Sequence, residues 1–222
     1  MIAEELINQV IPALRCTDTV GEALENLNEY RVNELPVVHD KEYLGLVSDA
    51  MLQEAPGKDV MLSEIPLSHQ NAYVHSSQHL YDIIRVAHEN NIDTIPILKD
   101  EDNTYAGSVT VRETVKALSK SMITNTHGGI LVLAMRYIDY SLAEISRLAE
   151  SNGVKILSAI TEPDEKDPEW VKVTLKFNTN ELRSVIATFE RYNYRIIARF
   201  MDTNSYHLES ERLGMLFRYL EL

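Results

Sequence analysis

The chain contains one cysteine, Cys16, among its 222 residues. An intrachain disulfide is therefore excluded, and so low a cysteine content is typical of proteins from reducing compartments. No apolar run reaches the roughly 18 residues that a membrane-spanning helix requires, and the longest, at 128–135, has the length of a strand. The first ten residues carry two glutamates where a secretory signal would carry positive charge. These features predict a cytoplasmic protein with no membrane contact.

Basic residues are also scarce, since 21 Lys and Arg against 34 Asp and Glu give a net charge of −13. Such a chain lacks the basic surface that binds nucleic acid without sequence preference, so no nucleic-acid partner is predicted. The charge is uneven: residues 1–124 hold nine basic and 20 acidic side chains, while 125–222 hold 12 and 14. This difference indicates two modules with different surfaces.

The sequence contains no GxSxG, HExxH, P-loop or GxGxxG motif. The chain is predicted not to be an enzyme, to require no cofactor and to have no metal site; the first of these predictions rests on family resemblances in both halves of the chain and not on the missing motifs. An enzyme whose site assembles from distant residues is the third-ranked alternative.

An internal repeat with an offset of 60 residues occupies the first half of the chain. Leu35-Pro36-Val37 corresponds to Ile95-Pro96-Ile97. Apolar positions upstream also coincide, pairing Val20 with Leu80, Ala23 with Ile83, Leu24 with Ile84, Leu27 with Ala87, and Val32 with Ile92. Such self-similarity is the signature of a repeated structural unit.

Each copy predicts a helix-strand-strand-helix unit. In the first copy, Thr19 and Glu22 form a capping box that opens a helix. A short strand over 35–38 follows, which Pro36 is expected to confine to a strand end or a sheet edge. A polar turn returns the chain as a second strand over 43–47, and a helix begins near Ser48. Because neither unit can bury its apolar face alone, the two are expected to pack across a pseudo-twofold axis.

The two copies resemble the CBS domain, which occurs in tandem as a Bateman module. The resemblance rests on an amphipathic helix, a hydrophobic-Pro-hydrophobic strand, and then Gly-x-Val-Ser/Thr, which is seen here as Gly45-Leu46-Val47-Ser48 and Gly107-Ser108-Val109-Thr110. It places the first CBS repeat at residues 1–62 and the second at 63–124.

The residues after Lys120 predict a second module at 128–202. Gly128 and Gly129 are interpreted as a hinge between the modules. Strand, helix, strand, strand, helix and strand patterns follow, with Asn180 as the expected cap of the second helix. The βαββαβ order is that of the ferredoxin-like fold. The predicted fold class is therefore α/β (α+β), a CBS pair followed by a ferredoxin-like domain.

The turn after the first strand of this module resembles that of an ACT domain. Asp139 and Leu142 match the family pattern, whereas Tyr140 and Ser141 replace its glycine-containing turn. The resemblance implies an effector-binding turn that includes Asp139, Ser141 and Leu142. Residues 203–222 predict a tail helix, which either packs on its own domain or contacts another copy.

The CBS resemblance also implies a ligand site for an adenosyl compound, namely AMP, ADP, ATP or S-adenosylmethionine. The family's Gly-h-x-Ser/Thr-x-x-Asp element uses its hydroxyl and its carboxylate to bind ribose or phosphate. The second repeat nearly retains this element, with Glu113 in place of the Asp. The implied ligand-binding residues are Thr110, Arg112, Glu113, Ile92, Thr94, Ile95 and Pro96. In the first repeat Met51 replaces the carboxylate, which leaves a weaker second site at Val32, Leu35, Pro36, Ser48 and Asp49.

Two interpretations of these residues remain open. Thr110 and Glu113 are also spaced as a capping box, which needs no ligand. The leading hypothesis is a regulatory sensor whose CBS pair binds an adenosyl ligand while the ACT-like domain relays or adds a second signal. The alternative is a dimeric interaction or scaffold protein with degenerate pockets. Both predict a homodimer, and the sequence names no downstream protein target.

Overall fold

The computed structural model of the chain describes residues 1–120 and 125–201. The chain divides into two compact units, the first covering Met1–Leu118 and the second beginning at Ser119. The predicted tail helix at 203–222 lies outside the described residues. The helices that the structure describes include none long and apolar enough to cross a bilayer.

The first unit contains two successive copies of the same arrangement. The first copy comprises β1 (Leu14–Arg15), α1 (Val20–Tyr30), β2 (Glu34–His39), β3 (Glu42–Ser48) and α2 (Asp49–Gln53). The second comprises β4 (Val74–His75), α3 (Leu80–Asn90), β5 (Thr94–Leu98), β6 (Tyr105–Thr110) and α4 (Val111–Ser119). Each copy forms a three-stranded sheet, in the orders β1-β2-β3 and β4-β5-β6.

The backbone repeats in detail at an offset of 60 residues. Helices α1 and α3 end at Arg31 and Asn91, which both adopt the left-handed conformation at φ 53° and ψ 48°. Strands β2 and β5 each shift register with their hairpin partners, directly after Val37 and Ile97. The predicted repeat of helix-strand-strand-helix units is confirmed.

One expectation about the proline strands is wrong. Pro36 lies on β2, which is the central strand of its sheet and not an edge strand. Strand β1 pairs only with Val37 and Val38, so it does not reach the proline. The missing N–H of Pro36 therefore leaves no ladder bond unmade, because that side of the strand is unpaired at this position.

Helical and strand periodicity account for the core of the first unit. Val20, Ala23 and Leu27 of α1 recur at helical spacing and are buried against β2 and β3. Leu46, from the first repeat, is buried in the hydrophobic cluster formed mainly by the second repeat. The two repeats therefore share apolar contacts, as units too small to bury a core alone must do.

The second unit is a four-stranded antiparallel sheet with two helices. Its elements are β7 (Ile130–Arg136), α5 (Leu142–Glu150), β8 (Ile156–Pro163), β9 (Trp170–Phe177), α6 (Arg183–Arg191) and β10 (Arg195–Phe200), with strand order β10-β7-β9-β8. Alternate β9 residues, among them Val173 and Leu175, are fully buried in one cluster with residues of both helices. The predicted βαββαβ order is confirmed.

Two local expectations about the second unit are wrong. The N-cap of α6 is Leu182, and the buried side-chain oxygen of Asn180 has no hydrogen-bond partner in residues 1–120 and 125–201. Leu182 is fully buried, so core packing sets where this helix begins.

Gly128 and Gly129 form no hinge, because they lie against the end of β9. Gly129 donates to the carbonyl of Thr179 at 2.9 Å and accepts from the N–H of Phe177 at 3.0 Å.

Candidate functional site

A cavity of about 610 Å³ opens on the first unit and is lined by both repeats. The N-terminal segment contributes Asn8, Val10 and Ile11; the first repeat contributes Tyr30, Arg31, Val32 and Asn33; the second contributes Asp93, Thr94, Thr110, Val111, Arg112, Glu113 and Val115. Its volume lies within the range of small-molecule pockets.

The wall of the cavity is formed where the helix-to-strand loops of the two repeats meet. The side-chain amide of Asn33 donates to the carboxylate of Asp93 at 2.7 Å. The carboxylate of Glu34 accepts from the backbone N–H groups of Asp93 and Thr94 at 3.0 and 3.4 Å. Burial raises the pKa of Glu34, although these two backbone hydrogen bonds act in the opposite direction. The first repeat thus holds the second repeat's side of the cavity in place.

The N-terminal segment crosses β6 closely and forms a second wall. The N–H of Asn8 donates to the carbonyl of Ser108 at 2.9 Å. The neighbouring Gly107 has φ +154°, and a Cβ placed on it would lie 2.4 Å from Cγ2 of Ile7. Glycine is required at this position because a side chain would displace the segment that carries Asn8.

Thr110 and Glu113 bond to each other at the start of α4. The hydroxyl of Thr110 donates to the carboxylate of Glu113, and the N–H of Glu113 donates to that hydroxyl at 3.3 Å. The same carboxylate also accepts from the N–H of Thr110 at 3.3 Å. The structure therefore contains the capping box, in which the Thr110 hydroxyl and the Glu113 carboxylate bind each other.

Other polar groups of the cavity have no such partner. Thr94 is fully buried, and its hydroxyl is without a hydrogen-bond partner among the described residues. Within residues 1–120 and 125–201, the guanidinium groups of Arg31 and Arg112 likewise form no ion pair or hydrogen bond. A buried hydroxyl without a hydrogen-bond partner carries a free-energy cost.

The structure brings only part of the predicted residue set to this cavity. Thr94, Thr110, Arg112 and Glu113 line it, whereas Ile92, Ile95 and Pro96 do not. These three are buried, since Ile92 and Ile95 belong to the hydrophobic core and Pro96 lies inside the β5–β6 ladder.

The residues predicted for a weaker second site are dispersed. Val32 lines the same cavity as Thr110, because the two repeats dock through their helix-to-strand loops. Leu35 is fully buried, and Pro36 lies opposite Leu46 within its sheet. Ser48 caps α2 by accepting from the N–H of Met51 at 3.4 Å, and Asp49 accepts from the side-chain amide of Gln53.

Sequence reasoning missed the contribution of the first repeat and of the N-terminal segment. Tyr30, Arg31 and Asn33 all line the cavity, and none of them belongs to the hydroxyl-carboxylate element. One sequence feature could have drawn attention to Arg31: it occupies the position at which the second repeat has Asn91, and asparagine is a common residue at a left-handed helix end.

The predicted effector turn of the second unit is well ordered by its own contacts. Asp139 accepts from Nε of Arg136 at 2.8 Å, and Ser141 caps α5 by accepting from the N–H of Glu144 at 3.3 Å. Leu142 is 42% exposed. Asp139 also lines a cavity of about 340 Å³, whose wall includes Trp170 and Tyr194. Burial, followed by the nearby carboxylate of Glu144, raises the pKa of the Tyr194 hydroxyl to about 12.

The family model for the CBS domain matches residues 3–56 and 58–120, together just over half of the chain. Among solved structures, a CBS domain pair/ACT domain protein from Thermotoga maritima is 21% identical, with a TM-score of 0.48 over 53% of this chain and 96% of that chain. The structure of CBSX2 in complex with AMP is 24% identical, with a TM-score of 0.45 over 53% and 95%. The cytosolic domain of the Mg²⁺ channel MgtE, in complex with ATP, is 20% identical, with a TM-score of 0.44 over 52% and 48%.

Proposed function

The chain belongs to the CBS domain family, and on that premise we propose that it is a regulatory sensor which binds an adenine nucleotide or another adenosyl ligand in the cavity of its CBS pair. The observation that carries the proposal is the cavity of about 610 Å³ that residues of both repeats line, Val32 of the first and Thr94 of the second among them; the hydroxyl of Thr94 is buried and has no hydrogen-bond partner among the described residues. Apolar side chains such as Val10, Ile11 and Val32 offer contact to a base, and Arg112 offers a cation. A ligand that touches both repeats can bias how they pack, which is how a sensor transmits binding.

A thermal-shift screen tests this proposal. AMP, ADP, ATP and S-adenosylmethionine are each added at increasing concentration. We expect at least one to raise the unfolding midpoint by several degrees, because a ligand at 100 times its Kd adds about 2.7 kcal/mol to the free energy of unfolding. If none of the four shifts the midpoint at millimolar concentration, the adenosyl-sensor function is rejected.

The substitution Thr94→Val is expected to increase stability and to weaken ligand binding. Without ligand, it is expected to raise the free energy of unfolding by about 1 kcal/mol, because it removes a buried hydroxyl that has no hydrogen-bond partner in the described part of the chain. Affinity for the ligand found in the screen should fall about tenfold, because the hydroxyl is then missing from the complex. Urea unfolding and calorimetric titration measure the two effects.

The matched control is Thr114→Val, the same change at a buried threonine whose hydroxyl donates to the carbonyl of Thr110 at 3.1 Å. This variant should lose about 1 kcal/mol of stability instead of gaining it. Equal destabilisation by both substitutions would mean that Thr94 is an ordinary packed residue.

The second unit is proposed to relay this signal or to add a second one. Its candidate effector turn comprises Asp139, Ser141 and Leu142, next to the 340 Å³ cavity that Asp139 and Trp170 line. Including amino acids in the thermal-shift screen tests this role, with the fluorescence of Trp170 as the local readout.

An interaction or scaffold protein with degenerate pockets is the second candidate function. The mutual bonding of Thr110 and Glu113 favours it, because the hydroxyl and one carboxylate oxygen are then already engaged with each other. A groove of about 330 Å³ between α3 and α4 offers a contact surface, where Ile84 and Val115 are 41% and 59% exposed.

We expect the chain to be a homodimer that uses this groove, because exposed apolar helix faces of this kind are usually covered by a partner. Light scattering should give twice the 25.3 kDa chain mass at micromolar concentration. Val115→Glu should shift the mass to that of the monomer, whereas Ile160→Glu, at a 52% exposed position of β8, should not. A monomer in the unsubstituted protein contradicts this expectation.

A further inference from the structure

The single cysteine of the chain lies beside a histidine. Sγ of Cys16 is 3.2 Å from Nδ1 of His39, and Cys16 is neither buried nor fully exposed. The two residues directly follow Arg15 and Val38, the last pair between β1 and β2, so the parallel register of these strands sets them side by side. The N–H of Cys16 also donates to the carbonyl of Val38 at 3.3 Å. The sheet of the first repeat therefore holds the sulfur and the imidazole together.

The other ring nitrogen of His39 faces a carboxylate. Nε2 of His39 lies 3.4 Å from Oδ2 of Asp40. A carboxylate in this position favours the tautomer that carries its proton on Nε2, which leaves Nδ1 able to accept a proton from the thiol. A nucleophile, a base within hydrogen-bond reach and a third group that orients the base are the arrangement that activates a thiol. Because His39 and Asp40 are both exposed, the carboxylate is expected to contribute less than the imidazole.

The second repeat shows the same backbone positions without this pair. Ser76 and Lys99 stand there, at the offset of 60 residues. The hydroxyl of Ser76 donates to the carboxylate of Asp100 at 2.6 Å, and the N–H of Ser76 donates to the carbonyl of Leu98 at 2.8 Å. The second repeat thus has a serine–aspartate bond where the first has a cysteine and a histidine in contact. The fold therefore does not require a cysteine and a histidine at these two positions.

Cys16 also lines a cavity of about 560 Å³ in the first unit. Most of its other lining residues belong to the segment between α2 and β4, among them Leu62, Ile65 and Leu67. The N–H of Ser63 donates to the carbonyl of Cys16 at 2.9 Å, which holds this segment next to the cysteine. The volume lies within the range of small-molecule pockets, and the lining differs from that of the 610 Å³ cavity. A small molecule in this cavity would therefore lie next to the sulfur.

We propose that Cys16 is a modification site, at which His39 promotes exchange of the thiol with the disulfide of a small thiol. The sulfur of Cys16 attacks one sulfur of the disulfide while the thiol proton passes to Nδ1 of His39. The S–S bond of the reagent breaks, a mixed disulfide forms on Cys16, and the other half leaves as a thiolate that takes the proton from His39.

This modification goes beyond the proposed function and does not depend on it. Because the chain has no second cysteine, no intrachain disulfide can displace the adduct, and an external thiol is needed to reverse it. Cys16 thereby responds to the balance of small thiols and disulfides around the protein.

Reaction of the reduced full chain with cystamine and with glutathione disulfide tests the proposal, with the intact mass of the protein as the readout. Near pH 7 we expect half of the reagent to be added per chain, at least about tenfold faster than to free N-acetylcysteine. Cystamine, which is cationic, should react faster than the anionic glutathione disulfide, because Glu42 lines the cavity.

Substitution of the base provides a pH profile that a purely structural role would not alter. His39→Gln should slow the reaction about tenfold near pH 7, because glutamine cannot accept the proton. The two rates should converge near pH 10, where a free thiol is ionised without a base. Asp40→Asn should slow the reaction only about twofold, and asparagine tolerates the left-handed conformation of this residue, whose φ is 45°.

The matched control is His88→Gln, the same change at an exposed histidine of α3, which should leave the rate unchanged. In denaturant, the unsubstituted chain and His39→Gln should react at the same rate, because unfolding separates the two side chains. Reaction of the folded chain no faster than N-acetylcysteine, or equal rates for it and His39→Gln near pH 7, would overturn the proposal. A doubled mass in the absence of reducing agent would also overturn it, since Cys16 would then join two chains.

Discussion

Replacing Gly128 by alanine is expected to lower the free energy of unfolding of the second unit by about 3 kcal/mol or more. A Cβ at this position would lie 1.8 Å from the carbonyl oxygen of Phe177 and 2.9 Å from its carbonyl carbon. Backbone atoms at the end of β9 cannot rotate away as a side chain can, so the strand itself must shift. The loss is therefore expected at the upper end of the range for overpacking substitutions.

Urea unfolding followed by tryptophan fluorescence measures this effect, because the single tryptophan, Trp170, lies on β9. Gly57→Ala is the control, since a Cβ there would meet nothing within 4 Å. It should leave the fluorescence transition unchanged. If the free energy of unfolding of the Gly128→Ala variant is within 1 kcal/mol of that of the unsubstituted protein, this glycine is not packed as described.

A fragment of residues 1–124 is expected to fold alone and to bind the same ligand as the full chain, with a Kd within twofold. The first unit, Met1–Leu118, contains two complete repeats with their own hydrophobic clusters and all the residues that line the 610 Å³ cavity. A unit with its own core and its own site does not need a second unit to fold. Far-UV circular dichroism tests the helical content, and calorimetric titration tests the affinity.

Fragment 125–222 provides the complementary measurement, in which no adenosyl ligand should bind. If fragment 1–124 is unfolded or aggregated while the full chain is stable, the first unit depends on the second, and separability is rejected. A folded fragment that has lost ligand binding would instead place part of the site outside Met1–Leu118.

Much of the fold follows from patterns that are local in the sequence. The repeat is visible as matched apolar positions 60 residues apart, and Thr19 and Ser141 open helices where their hydroxyls cap a backbone N–H. Strand β9 covers the alternating residues of Trp170–Phe177, and β7 covers the continuous apolar run that ends at Arg136. These features are readable because capping and amphipathic periodicity depend on residues within one or two turns of each other.

The composition of the cavity, in contrast, is decided by how the two repeats dock. The sequence identified Thr94, Thr110, Arg112 and Glu113, but it did not indicate that Arg31 and Val32 of the other repeat would line the same cavity. The bonds from Asn33 and Glu34 to the second repeat join residues about 60 positions apart. No local pattern encodes such a pairing.

The tertiary structure also shows contacts that spacing and residue type had left open. Thr110 and Glu113 fit a ligand element and a capping box equally well by spacing, and their side chains in fact meet each other. Gly128 fits a hinge by residue type, yet close packing against Phe177 is what requires a glycine there. The sequence by itself thus determined the repeats, the capped starts of α1 and α5, and the order of strands and helices along the chain. Only the tertiary structure decided which side chains share a cavity and which glycines are packed, because both depend on contacts between segments distant in the chain.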